Sequence, residues 1–126
     1  MPNPWTEFES CDYRIEDLGR PAIFLIPARK LDWQYMNGRI RDHLHAFLIE
    51  HIGAFTTALI PQFGVWTSAG DRIIYDECCQ YEVSFVGKER ISLLMRKLAM
   101  LARQIEEECI YFKAGEDACL IYPSKT

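Results

Sequence analysis

The side chains with reactive potential are three histidines, His43, His45 and His51, five cysteines that include the adjacent pair Cys78 and Cys79, and the isolated carboxylate Glu77. All three histidines fall within one run whose apolar residues recur at helical spacing. Advancing about 100° per residue, His51 comes near the centre of the apolar stripe, His43 at its edge and His45 on the opposite side. Such a spread cannot hold one metal ion. His43 and His45 are also two apart, whereas a helix pairs ligands at i, i+3 or i+4.

Glu77 sits in a strand-like run where Ile73, Tyr75, Cys79, Tyr81, Val83 and Phe85 alternate with polar residues. That alternation puts its carboxylate on the face that meets the helices, where it needs a partner or must take up a proton. Beside His51 it would form an acid and base of the kind isomerases and lyases use, or a plain structural ion pair. Glu77 and His51 are therefore the catalytic candidates. A β-bulge at the vicinal cysteines would instead turn Glu77 outward.

In a regular strand Cys78 and Cys79 point to opposite faces, and no C-x-x-C motif is present. Zinc would require Cys109, Cys119 and a histidine to converge from separate elements. Buried, reduced thiols are the simpler reading, so neither metal nor cofactor is expected. Walker A, G-x-G-x-x-G and G-x-S-x-G motifs are all missing. Glu106, Glu107 and Glu108 close a helical run where carboxylates oppose the macrodipole, which suits a solvated end or a contact for a basic partner. Arg90, Arg96, Lys97 and Arg103 form a basic helix face without interleaved aromatics, more typical of solvated surface than of a nucleic-acid site.

The elements that must position these residues can be read in order. Residues 1–19 lack periodicity and read as an irregular arm, with an edge strand around Tyr13, Arg14 and Ile15. Pro21 to Pro27 is a short apolar run expected of a central strand. A helix is expected from an N-cap at Asp32 to Gly53, on the stripe Trp33, Met36, Ile40, Leu44, Phe47, Leu48 and Ile52. Phe63–Thr67, a turn over Ser68, Ala69, Gly70 and Asp71, and a strand from Arg72 to Val86 read as a hairpin. Ile91, Leu94, Met95, Leu98, Leu101, Ala102 and Ile105 define a second amphipathic helix. Residues 109–112 and 118–122 make a closing hairpin about Gly115.

This order is an α+β, ferredoxin-like split βαβ sandwich over residues 20–123: an antiparallel sheet with two helices on one face and an extra C-terminal edge strand. From Trp33 to Leu120, the Phe63-Gly64-x-Trp66 strand, the Gly70 turn, the acidic strand and the Cys109-Ile110-Tyr111 return resemble small bacterial proteins of ferredoxin-like type. That resemblance implies a fold and carries no activity.

A formal charge of -4 without clustered basic residues argues against nucleic acid. No run of about 18 apolar residues argues for a membrane span, and no signal peptide is visible, so a cytoplasmic location is expected. With two helices on one face, Phe24, Trp66, Ile110 and Phe112 would leave apolar surface on the other. The expectation is a non-catalytic binding or assembly domain that self-associates as a homo-oligomer through that face. A cofactor-free isomerase or lyase using Glu77 and His51, and an inhibitor of a foreign protein of the kind mobile elements encode, are the alternatives.

Overall fold

A computed structural model describes residues 3–58, 60–68, 70–85 and 87–124. The strands are β1 (Arg20–Pro27), β2 (Gln34–Tyr35), β3 (Gly38–Arg39), β4 (Thr56–Thr57), β5 (Gln62–Thr67), β6 (Ile73–Phe85), β7 (Ile110–Ala114) and β8 (Asp117–Ile121), and the helices are α1 (Ile40–His51) and α2 (Glu89–Gln104). Six strands form one antiparallel sheet in the order β4, β6, β1, β7, β8, with β5 continuing beyond β4 along the same edge of β6. Apart from β8, this is the ferredoxin-like order, and β8 is the extra edge strand that the closing hairpin supplies.

Both helices lie on one face. Ala22, Phe24 and Ile26 of β1, Tyr81, Val83 and Phe85 of β6, and Ile110 and Phe112 of β7 share one buried cluster with Leu44 and Leu48 of α1 and Leu94, Leu98 and Leu101 of α2. The register explains the selection, since Phe24 stands across from Tyr81 on one side and Phe112 on the other. Residues of the other parity, Ile23 and Leu25, are only half-buried.

The first helix is shorter than its periodicity predicts. Residues 29–32 form a 3-10 turn, and Trp33 and Met36 belong to the β2–β3 hairpin, whose turn holds Met36 at φ 55°. Asp42 accepts the Arg39 N–H at 3.2 Å and so opens α1 seven residues after the expected cap. Its end is where the sequence puts it: the Gly53 N–H reaches the Leu48 carbonyl at 2.9 Å with φ 105°.

No strand forms at Tyr13–Ile15, where only an isolated bridge joins Ser10 and Tyr13. Residues 3–21 are exposed, and Trp5 and Tyr13 bond within the segment, to Asp17 and to the Phe8 carbonyl. The long hairpin is present, with its strand ending at Phe85. The expected final residue Val86 and the turn residue Ala69 lie outside the described residues.

Candidate functional site

The open face of the sheet carries a hollow of about 330 Å³. Leu25 of β1, Trp66 of β5, Asp76 and Cys78 of β6, Glu107 and Tyr111 line it. Strand parity puts Leu25, Asp76, Cys78 and Tyr111 on the side away from the helices. Glu107 comes from the turn between α2 and β7. That turn is fastened by Lys30, the sole buried charged residue among those described. Its Nζ lies 3.1 Å from Glu107 Oε1, donates to the Glu106 carbonyl at 3.3 Å and sits 5.2 Å over the Trp33 ring. Burial, followed by the fields of Asp76, Glu107 and Cys79, pushes the Cys78 thiol up to about 11. Both carboxylates therefore act on one point in the hollow.

A second polar centre lies in the core. Tyr81 is fully buried, and its hydroxyl is 2.7 Å from His45 Nε2. The Phe55 ring packs 4.7 Å from the imidazole and 5.9 Å from the phenol. Burial raises the Tyr81 hydroxyl to about 12, and burial, with Arg41 and then Arg39 working against Asp42, holds His45 below its usual range. Tyr81 thus keeps its proton, and the phenol and the imidazole share one hydrogen bond. Measured against the whole stripe His45 reads as a solvent-side residue, but it shares a side with Leu48 and Ile52 at i, i+3 and i+7, and that spacing is the signal that would have found it.

Glu77 and His51 are not brought together. His51 ends α1 half-exposed, against the Phe47 ring and 3.8 Å from Glu50 Oε2. Its neighbour Ile52 lines the cleft that contains Phe85, and Glu77 lies eight residues back along β6, roughly 25 Å at the rise of a strand. Glu77 has the expected parity, yet it is exposed, because the 13-residue β6 runs past the layer that a 12-residue α1 can cover. No bulge interrupts its pairing with β5. Glu77 and His51 therefore form no acid–base pair.

Phe24, Ile110 and Phe112 were placed at an interface on the open face, and they lie under the helices instead, at most 3% exposed. A strand apolar on both sides does not reveal which parity the helices take. Trp66 does lie on the open face, half-buried. His43 Nε2 meets the Tyr35 carbonyl at 2.7 Å and ties α1 to the small hairpin. Among the described residues no group of three His, Cys, Asp or Glu side chains could hold a metal ion. Nor is any helix among them long and apolar enough to cross a membrane.

Comparison with known proteins finds no matching family model. No curated protein matches either. Among solved structures, a phage SAM lyase in complex with S-methyl-5'-thioadenosine superposes with a TM-score of 0.57 at 16% identity, covering 93% of this chain and 99% of that one. A phage SAM lyase in the apo state gives 0.56 at 14% identity, over 90% and 98%. The likeness is one of fold and spans nearly the whole of both chains.

Proposed function

We propose that this chain is a small cofactor-free lyase that cleaves a sulfonium nucleoside of the SAM type in the open-face hollow. One observation carries the reading: the end-to-end correspondence of fold with a SAM lyase solved with S-methyl-5'-thioadenosine. The hollow adds chemical sense. Trp66 and Tyr111 offer flat surfaces for a nucleobase, and a volume of about 330 Å³ falls within the range of small-molecule sites.

The reaction suits such surroundings. When the sulfonium carbon–sulfur bond breaks, its electron pair stays on sulfur and a cation becomes a neutral thioether. A water-poor, apolar setting favours that loss of charge. In an elimination the departing proton leaves the neighbouring carbon for a base. Asp76 lines the hollow and has no hydrogen bond or ion pair among the described residues, so it is placed to accept that proton. Glu77 and His51 have no part in this reading.

Incubating the protein with SAM and separating the products tests it. S-methyl-5'-thioadenosine should accumulate, and Asp76→Asn should slow its release at least about a hundredfold, the lower end for a lost general base. Intact SAM after prolonged incubation with folded protein would refute the proposal.

Self-association is a second reading, favoured not by the open face but by the far end of the β5–β6 hairpin, on the side of the sheet that bears the helices. Phe63, Val65, Ile73 and Tyr75 are 67%, 55%, 62% and 63% exposed on one side, with the Phe63 and Tyr75 rings 6.0 Å apart. Apolar surface so concentrated is typical of an interface. Sedimentation equilibrium at micromolar concentration should give a mass above the 14.7 kDa of one chain. A clean monomer would remove this reading and leave the lyase reading standing.

A further inference from the structure

Three departures from local preference meet at one carboxylate of the hollow. Glu106 has φ 57°, a left-handed conformation that side-chain-bearing residues adopt at a cost. Glu106, Glu107 and Glu108 place acids where the macrodipole favours bases. Lys30 is withdrawn from water to pair with Glu107, and burying an ion pair is seldom a net gain in stability. Local rules broken together are characteristic of a functional site. All three serve to present Glu107 at the rim of the hollow. Its Oε1 is engaged by Lys30, and the residue lines the hollow.

We infer that Glu107, positioned by Lys30, is the specificity-determining carboxylate of the hollow, selecting a ligand with one positive charge on an aromatic, apolar body over its uncharged counterpart. The inference rests on the reading that the hollow is the ligand site. It does not depend on catalysis there. Lys30 and Glu107 cancel, so the hollow keeps the single negative charge of Asp76, matched to a monocation. The faces of Trp66 and Tyr111 carry negative quadrupole and add to the attraction. A neutral thioether engages neither the carboxylates nor the quadrupoles. Under the lyase reading, cation selectivity would also let the uncharged product leave.

The test uses two probes that differ by one methyl group and one charge: S-methyl-5'-thioadenosine and its S-methylated dimethylsulfonium derivative. Neither has the amino-acid chain, so neither is consumed. Titration calorimetry of the full chain should show the sulfonium binding about fivefold tighter, the upper end of what one partly exposed charge contact provides. Glu107→Gln, which leaves Lys30 to offset Asp76, should bring the ratio to within about twofold, whereas Lys30→Met, which leaves two uncompensated carboxylates, should raise it above the wild-type value, and Lys30→Arg should return it to that value. Thermal melts confirm that each variant is folded.

A structural role alone for Lys30 would weaken both probes equally and leave the ratio unchanged. That result overturns the inference, as does an unchanged ratio in Glu107→Gln or no binding of either probe. If the ratio behaves as expected while SAM stays intact, the lyase reading fails and the inference stands.

Discussion

Replacing Tyr81 with Phe isolates one oxygen atom in the core. The ring contacts survive the change: stacking on Phe24 at 5.2 Å and 3°, and packing on Phe55 at 5.9 Å. What is lost is the hydroxyl that shares a hydrogen bond with His45 Nε2 at 2.7 Å. A hydrogen bond of this kind contributes about 0.5 to 1.5 kcal/mol net, and a stranded buried partner raises the loss to about 1 to 3 kcal/mol. His45 is half-buried, so water relieves part of that second cost. The expected loss is about 1 to 2 kcal/mol. Urea unfolding followed by circular dichroism should show a lower midpoint with an unchanged slope, because the exposed area on unfolding is the same. A loss below about 0.3 kcal/mol would refute the assigned bond, since ordinary surface substitutions already reach about 0.5 kcal/mol. A loss above about 3 kcal/mol would mean that the ring itself repacks, as when core volume is removed.

Stability should also depend on pH through His45. Burial, reinforced by Arg41, lowers its affinity for protons in the folded state, so between its ordinary pKa of 6.5 and the lower folded value the unfolded chain binds more protons. The contribution is therefore complete above about pH 6.5 and lost as the pH falls through the folded value. His45→Gln should flatten that part of the profile, and an unaltered profile would contradict the assignment. Leu98→Ala, at a fully buried position on α2, should cost about 2 to 5 kcal/mol, and less than about 1 kcal/mol would contradict the buried face. With iodoacetamide at neutral pH, the exposed Cys11 and Cys119 should react first and Cys78 should lag, its thiol being held near 11. Mass mapping that finds Cys78 alkylated ahead of the exposed pair would overturn that account.

The fold was legible where periodicity is governed by one buried face. The stripe of Leu94, Leu98, Leu101 and Ala102 marks α2, and the alternation from Cys79 to Phe85 marks the half of β6 that lies under the helices. Periodicity failed where that condition failed. Trp33 and Met36 continue the helical spacing of α1 but lie just before and in the turn of a hairpin, so periodicity alone overruns the start of the helix. Glu77 has the parity of Tyr81, but parity says nothing about how far along a strand the helices reach.

The hollow was harder to find for a different reason. Leu25, Trp66, Asp76, Glu107 and Tyr111 come from β1, β5, β6, the α2–β7 turn and β7, and no local spacing links them. Only long-range register brings them together, through β1, which pairs Leu25 with Gln80 and Pro27 with Cys78 of β6 on one edge and Phe24 with Phe112 of β7 on the other. One trace of the site was nevertheless local: three glutamates at the end of a helix whose dipole disfavours them. As a helix end alone, that run reads as solvated surface. With Lys30 buried against Glu107 and Glu106 held at positive φ, the same run becomes a fixed carboxylate aimed at a hollow, and a weakness in the helix acquires a use in binding.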